Sequence, residues 1–340
     1  MSLWMRLTKV RIFTNYTFGN SAELLGCSEE ELLAHGIELE FNTSGRADLV
    51  VVLNTTSAPR WVLVGKGNII KLLQEPLVMN PLTHLFTYHH SRIYDQVLTH
   101  SPVPGDKRQV LSLPCNGSFV DPTLTKPQFD QKQHQLSVIA SDLTVLPGHK
   151  LRAQFVQQLL THLPELERHT YGRGRTQQLM RKEDGLNKYR YSVAIENSSI
   201  NSYVTEKFYD CIIAGCVPLY FGAPDIAKYF PEKSFIALPI HDIRECVRII
   251  QTLSVADYES RIPALIEARS LIHDKYSLSA VILRRTSEIR KAQPSRRRFV
   301  FLMRVDGFLI WIQKLGFTTA IIRKYRATVR FSLRLLRRCR

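Results

Sequence analysis

The segment from Tyr191 to Gly222 gives the strongest indication of fold class and reads YSVAIENSSINSYVTEKFYDCIIAGCVPLYFG. It begins with an apolar run typical of a buried strand and then breaks into a polar loop. A helical pattern opening at Thr205 and a second apolar run follow. This order predicts two parallel strands joined by a crossover helix. Because ligands bind beyond the carboxyl ends of such strands, the polar loop marks a candidate site.

Polar residues fill that loop and the start of the helix, and five of them are candidate site residues. Asn197 and Ser198 follow the first strand, and Thr205, Glu206 and Lys207 lie at the start of the helix. The free N–H groups of a helix start attract anions, whereas a lysine there opposes the helix dipole unless an anionic ligand offsets it. The spacing alone also fits an ordinary helix start, so both interpretations stand.

The rest of the chain shows the same alternation of strands and helices. A length of 340 residues, 44% of them hydrophobic, favours two domains over one compact core. The alternation predicts an α/β fold of two Rossmann-like domains with mostly parallel sheets. A polar segment with two prolines, residues 121–135, is the predicted linker. The predicted boundaries are 1–125 and 126–280 for the two domains and 281–340 for a C-terminal tail.

The tail carries most of the net charge of +16. From Ser295 to Arg340 there are thirteen Lys or Arg residues against one acid, Asp306. Apolar residues such as Ile322 and Val329 recur among the arginines at helical spacing. A basic amphipathic helix of this kind favours association with an anionic membrane surface through residues 295–340. A nucleic-acid arm, a helix packed on its own body and a contact that pairs chains into a homo-oligomer are the alternatives.

Cysteine usage and apolar runs predict the compartment. Six cysteines without metal-type spacing predict buried free thiols in a reducing environment. No secretory signal or membrane-spanning run is visible, so we expect a cytoplasmic protein without an N-terminal anchor, peripheral on the inner face of the cell membrane.

Several motifs in order resemble the α-1,3/1,4-fucosyltransferases of glycosyltransferase family 10, in the bacterial type. The quoted segment is similar to the family's donor-binding motif, which reads roughly F-E-N-S/T, then Y-I/V-T-E-K, then V-P. HTYG, residues 169–172, resembles its strand-to-glycine turn, and GHKLRAQFVQQL resembles a helix whose arginine faces the donor diphosphate. IIKLLQEP and FTYHH resemble the acceptor-side segment, with the family's E-S-P matched here as Q-E-P.

The resemblance implies a GT-B arrangement, with an N-terminal acceptor domain, a C-terminal GDP-fucose domain and inversion at the fucose anomeric carbon. Such a displacement needs a base on the acceptor hydroxyl and cations beside the leaving diphosphate. By the match, the base falls on Glu75 or an adjacent position. Arg152 and Lys207 would offset the diphosphate, and Glu206 would hold the ribose or face the positive charge developing on the sugar.

The remaining matches imply a donor pocket and an acceptor-side pair. The residues implied for the donor pocket are Tyr171, Gly172, Glu196, Asn197, Ser198, Tyr203 and Thr205. His89 and His90 would lie on the acceptor side. The implied acceptor is a glycan, at O3 or O4 of N-acetylglucosamine, for example in a lipid-linked or lipopolysaccharide-type chain.

The absence of an Asp-x-Asp pair from the sequence predicts a reaction without a metal ion or other cofactor, because fixed cations take over the diphosphate. Two alternatives remain open at this point. Another nucleotide-activated deoxysugar could be the donor, or the chain could be a basic nucleic-acid-binding protein. The nearly neutral body and the lack of a nucleic-acid-binding motif argue against the second alternative, so no nucleic-acid partner is expected.

Overall fold

The computed structural model describes residues 7–302, apart from 77–82, 85–86, 88–92, 116, 121–126, 128, 143, 145–146 and 176. The chain divides into two compact units, each discontinuous in sequence. The larger unit contains Thr17–Glu38 and Leu98–Gln293, and the smaller unit contains Lys9–Tyr16, Leu39–Val97 and the chain from Pro294 onward. The larger unit thus joins residues 17–38 and 98–125 to the C-terminal half. The predicted domain boundaries stay a prediction.

The N-terminal half is built mainly from strands. Its strands are β1 (Thr8–Thr14), β2 (Ile37–Phe41), β3 (Gly45–Arg46), β4 (Leu49–Leu53), β5 (Arg60–Gly65), β6 (Ile69–Leu73), β7 (Gln96–Thr99) and β8 (Gln109–Leu111), and its helices include α1 (Ser21–Leu25) and α2 (Glu29–Ala34). Strand β4 runs parallel to both β1 and β6 in a six-stranded sheet of order β2-β1-β4-β6-β7-β8. All five β4 residues are buried, as in a strand covered on both faces.

The C-terminal half alternates strands with longer helices. Its strands are β9 (His134–Ile139), β10 (Thr170–Tyr171), β11 (Tyr189–Ile195), β12 (Val217–Phe221), β13 (Ile236–Ala237) and β14 (Arg297–Leu302). Its α-helices are α3 (Pro147–His162), α4 (Glu206–Ile213), α5 (Ile243–Thr252), α6 (Val255–Leu271) and α7 (Leu278–Lys291). Strands β9 to β13 form a parallel sheet of order β10-β9-β11-β12-β13. The predicted α/β class with parallel sheets is confirmed.

The predicted strand, helix and strand between Tyr191 and Gly222 are β11, α4 and β12. Tyr191 lies opposite Val217, and Ile195 lies opposite Phe221, so β11 and β12 are parallel neighbours along the whole length of β12. Every residue of α4 except its first two is buried. Because this core fixes the two strand ends and the helix start together, it positions the polar loop between them.

Two regular elements lie at or beyond the predicted tail boundary. Residues 278–291, which cross the predicted tail boundary at 281, form helix α7 with a buried face that includes Val281 and Ile282. Residues 297–302 form β14, which pairs antiparallel with β5. The tail from 303 onward lies outside the described residues, so its amphipathic helix stays a prediction.

The predicted linker also contains packed residues. Lys132 is buried, and its Nζ donates a hydrogen bond to the carbonyl of Ala214 at 2.6 Å. Strand β9 starts at His134, inside the predicted linker. The end of this polar segment therefore contains a buried lysine and the start of a strand. The linker prediction is confined to the residues before Lys132.

Five cysteines are described, and all are buried and free, as predicted: Cys27, Cys115, Cys211, Cys216 and Cys246. In the part of the chain that the structure covers, none of the helices is long and apolar enough to cross a membrane.

Candidate functional site

Glu196 organises the polar loop at the end of β11. Its side chain is buried, and its two carboxylate oxygens accept hydrogen bonds from Thr205, from the backbone N–H at 2.8 Å and from Oγ1–H at 2.7 Å. Thr205 in turn caps α4 by accepting from the backbone N–H of Lys207. The carboxylate therefore ties the strand end directly to the helix start.

Lys207 lies between two carboxylates. Its Nζ is 2.7 Å from Glu206 Oε1 and 3.5 Å from Glu196 Oε2. Burial opposes the ammonium charge, but the two acids outweigh burial and raise the pKa of Lys207. A fixed positive charge therefore stands in the first turn of α4, where the sequence predicted it.

The two acids respond oppositely to this environment. Burial raises the pKa of Glu196, and Lys207 only partly offsets that rise. Burial also acts on Glu206, but Lys207 and Lys182 outweigh it and lower the pKa of Glu206 to about 2. Glu206 is consequently ionised at neutral pH.

Arg152 reaches the same loop from helix α3. Its Nη1 donates to Asn197 Oδ1 at 2.9 Å, and its Nη2 donates to Ser141 Oγ at 3.2 Å. Its Nε is buried and finds no hydrogen-bond partner among the described residues. Burial lowers the pKa of Arg152, while Glu196 and Glu206 oppose that effect. A buried guanidinium with a donor to spare is suited to an anionic ligand.

Glycines allow the loops of this site to approach closely. A Cβ on Gly148, in the first turn of α3, would lie 1.8 Å from the backbone oxygen of Asn197. Gly172 has φ of +148°, and a Cβ there would lie 2.2 Å from the backbone oxygen of Ala140. The starts of α3 and of the loop after β10 therefore pack directly on the ends of neighbouring strands.

Three further residues predicted for the donor side lie in the loop after β11 or at the end of the sheet. Ser198 is half-buried in the loop after β11. Tyr203 is buried, with its ring 5.1 Å from that of His100, so it serves as a support for the loop. The hydroxyl of Tyr171 pairs with the hydroxyl of Tyr189 at 2.7 Å, which fixes it within the sheet end.

Sequence reasoning missed three residues that hold this site. Ser141 supports Arg152, as described above. Asp225 accepts from the backbone N–H of Ser202 at 2.6 Å, where Ser202 has a φ of +62°. Asp210 forms an ion pair with Lys182 behind the first turn of α4. Of these three residues, only Asp225 had a sequence signal, the A-P-D turn after β12. Ser141 and Asp210 had none, because the residues that they contact are distant along the chain.

Glu75 lies in the smaller unit, just after β6. Its backbone carbonyl contacts His84 Nε2 at 2.6 Å, and its Oε1 accepts from the hydroxyl of Tyr16 at 3.4 Å. The backbone N–H of Gln74 donates to Asn54 Oδ1 at 2.8 Å. Several polar groups thus fix the segment around Glu75.

Two further predictions concern the acceptor-side histidine pair and the metal ion. His89 and His90 lie outside the described residues. Within the described ranges, no group of three or more His, Cys, Asp or Glu side chains is placed to hold a metal ion. The prediction of a metal-independent reaction stays a prediction.

The geometry of the larger unit defines what the site can do. A guanidinium, an ammonium and the start of α4 converge at the carboxyl end of β11, where parallel sheets bind their ligands. Such a cluster can hold a diphosphate and stabilise charge that develops on it.

The segment that contains these site residues is similar in sequence to known proteins. Residues 129–260 match the family described as glycosyltransferase family 10 (fucosyltransferase), C-terminal region. An α-(1,3)-fucosyltransferase B of Drosophila melanogaster is 28% identical over 128 residues, which are 34% of this chain and 28% of that protein. A GDP-fucose protein O-fucosyltransferase 3 of Gallus gallus is 34% identical over 76 residues, which are 22% of this chain and 16% of that protein. The matches thus span less than a third of either relative.

Among solved structures, an α1,3-fucosyltransferase with GDP aligns with a TM-score of 0.47 and 14% identity, over 82% of this chain and 94% of that chain. The sequence match over residues 129–260 covers β11, α4 and the converging side chains of Arg152, Glu196 and Lys207. Residues 129–260 of this chain are therefore similar to the C-terminal region of glycosyltransferase family 10, the fucosyltransferase family.

Proposed function

We propose that this protein is an inverting fucosyltransferase that moves L-fucose from GDP-fucose to a hydroxyl of a glycan. The observation that carries the proposal is the convergence of Arg152 and Lys207 at Glu196 and Asn197, inside the segment that matches the family. Relatives named as fucosyltransferases support the same donor. We propose a GT-B fold with one domain for the donor and one for the acceptor.

On the donor side, the two cations offset the negative charge that builds on GDP as the bond to fucose breaks. Lys207 supplies a charge that its acidic neighbours keep protonated. Arg152 supplies a planar guanidinium, a group that pairs well with the oxygens of a diphosphate. Glu206, ionised at neutral pH, holds ribose hydroxyls or faces the positive charge on the sugar. With fixed cations in these places, we propose that the reaction needs no metal ion.

On the acceptor side, Glu75 is the proposed base. A carboxylate that accepts the proton of the attacking hydroxyl allows direct displacement and inversion at the anomeric carbon. The carbonyl contact with His84 and the hydrogen bond from Tyr16 hold Glu75 in place. The proposed acceptor hydroxyl is O3 or O4 of N-acetylglucosamine, with a protein acceptor and another nucleotide-deoxysugar donor as outcomes that the assay distinguishes.

The test is GDP release from GDP-fucose in the presence of EDTA, with N-acetyllactosamine and a panel of glycan and peptide acceptors. We expect turnover by the wild type and a loss of about a hundredfold or more in Lys207→Ala and Glu75→Ala. Lys228→Ala, an exposed lysine in the same unit as Lys207, is the matched control and should keep wild-type activity. Turnover that appears only after a divalent metal is added would overturn metal independence.

Equal activity of Lys207→Ala and Lys228→Ala would overturn the donor-site assignment. If GDP-fucose is not used but another GDP-deoxysugar is, the site is a glycosyltransferase site with a different donor. The absence of turnover with every donor and acceptor pair would contradict the proposed function as a whole.

We also propose that the protein works at the cytoplasmic surface of an anionic membrane. The sequence of the tail supports this through its thirteen basic residues. A second support is an aromatic strip on β5 and β14, which consists of Trp61, Phe299 and Phe301, all exposed. Trp61 and Phe299 stack with ring centroids 5.4 Å apart. Aromatic side chains beside basic residues are typical of surfaces that settle into lipid headgroups.

A further inference from the structure

A cavity of about 550 Å³ opens in the larger unit. Three segments that are distant in sequence form its walls: Gly19, Asn20 and Glu23 around the start of α1, Phe119, and Met180 to Glu183. Its size is in the range that holds a small ligand or one part of a larger ligand. None of its lining residues is among those assigned above to the donor.

The cavity is fixed to the donor helix through Asp210. This side chain is fully buried in α4, one turn after Glu206. Its Oδ1 accepts from Ser118 Oγ at 2.5 Å and from the backbone N–H of Phe119 at 2.9 Å. Its other oxygen pairs with Lys182. Two of the three walls are therefore held by the helix whose first turn carries Lys207.

Two apolar side chains, Phe119 and Met180, are among the residues that line the cavity. Phe119 is 59% exposed although its backbone is anchored, and Met180 is 99% exposed. Lys182 Nζ lies 5.3 Å from the centre of the Phe119 ring. An exposed ring on an anchored backbone, beside polar groups, suits the C–H face of a sugar, whose hydroxyls then meet the polar rim.

The charges of the cavity balance one another. Arg181 pairs with Glu183 at 3.0 Å, and Lys182 pairs with Asp210. Glu23 adds a further acid at the opposite wall. Because each cation of the cavity already faces a carboxylate, an anionic ligand gains little attraction here, and a neutral ligand is favoured.

We propose that this cavity binds a neutral sugar ring of the acceptor glycan, stacked on Phe119, next to the donor helix. The proposal rests on the proposed function, since it names the acceptor that a fucosyltransferase of this fold would take. It assigns Phe119 as a specificity residue for the acceptor and excludes sulfated or otherwise anionic sugars as the preferred ligand.

The experiment compares the wild type with Phe119→Ala, Phe119→Tyr and the control Ile266→Ala, which shortens an apolar side chain of similar exposure, 51%, on helix α6. Binding of N-acetyllactosamine and of its sulfated counterpart is followed by saturation-transfer NMR without donor. In the same proteins, KM is measured for acceptor and for GDP-fucose.

We expect Phe119→Ala to weaken neutral-sugar binding and to raise the acceptor KM about three- to tenfold, the size of a lost aromatic contact, with the GDP-fucose KM unchanged. Phe119→Tyr and Ile266→Ala should retain wild-type values. Sugar binding that depends on Phe119 in a protein without turnover would support this site while the proposed function fails.

Three results would overturn the site. One is an acceptor KM in Phe119→Ala equal to that of the wild type. Another is tighter binding of the sulfated sugar. The third is the absence of sugar binding by the wild type.

Discussion

Glu196 shows how one buried carboxylate can organise a ligand site. A buried charge is costly unless its oxygens are hydrogen-bonded and a counter-charge is near. Both oxygens of Glu196 accept hydrogen bonds from Thr205, and Lys207 lies 3.5 Å away. The sequence motif therefore joins three groups in one cluster: an acid that orients the loop, a hydroxyl that caps a helix, and a cation that we propose faces the donor diphosphate.

The lowered pKa of Glu206 leads to a prediction of how the unfolding free energy depends on pH in the wild type and in Glu206→Gln. The lowered pKa of Glu206, about 2 against 4.5 in an ordinary environment, means that its ionised form stabilises the native state. This contribution is present above pH 4.5 and is lost as pH falls toward 2. Relative to Glu206→Gln, the wild type should lose roughly 1 kcal/mol of unfolding free energy between pH 6 and pH 3.5.

Urea unfolding of both proteins at these two pH values measures that difference. Glu259→Gln, which removes an exposed acid from helix α6, is the control and should follow the wild type at both pH values. The assignment of the low pKa to Glu206 is wrong if the gap between wild type and Glu206→Gln stays constant across this window.

Helix α4 depends on its cap. Thr205 accepts from the N–H of Lys207 and donates its own hydroxyl proton to Glu196, so Thr205→Ala removes a cap and a hydrogen bond to a buried carboxylate oxygen. We expect a loss of about 1–3 kcal/mol of unfolding free energy. Thr205→Ser keeps the hydroxyl and should lose much less. Denaturant titration of the three proteins tests this, and equal losses for Ala and Ser would show that the methyl group, and not the hydroxyl, is needed.

The elements that the sequence predicted well are those specified by local pattern. Strand β11, helix α4 and strand β12 each carry their own apolar period, and Thr205 signals the helix start. Strand β14 was missed because its apolar residues are balanced by arginines and its partner, β5, is far away in sequence. Lys132 was assigned to a linker for a similar reason, since only the fold brings the carbonyl of Ala214 to its ammonium.

The candidate site shows the same limit. Glu196, Asn197 and Lys207 were found because they are close together in sequence, and Arg152 was found only through a family resemblance. Asp210 carries no motif, yet the structure shows it holding Phe119 and Lys182. Positions of this kind depend on long-range contacts, which periodicity and spacing do not encode.

At the level of the whole molecule, charge and exposed aromatic side chains lie toward one end of the chain. Thirteen of the 46 basic residues fall between Ser295 and Arg340, and β14, within this segment, adds exposed Phe299 and Phe301. Arginine attracts anionic headgroups from a distance, and aromatic rings then enter the interface. This two-part attraction predicts binding that requires anionic lipid, weakens with salt and needs the rings.

The test is co-sedimentation of the full chain with vesicles. We expect binding to vesicles that contain phosphatidylserine and little binding to pure phosphatidylcholine. Binding should fall markedly as salt is raised from 50 to 500 mM, because salt shortens the Debye length and screens the attraction. Replacing Trp61 and Phe299 together by Ser should lower the bound fraction severalfold, because their burial in the interface is lost. Ile266→Ser, an exposed apolar residue on helix α6, should bind like the wild type. Equal binding to both vesicle types would rule out attraction by anionic headgroups, and unchanged binding of the double variant would rule out a role for the aromatic strip.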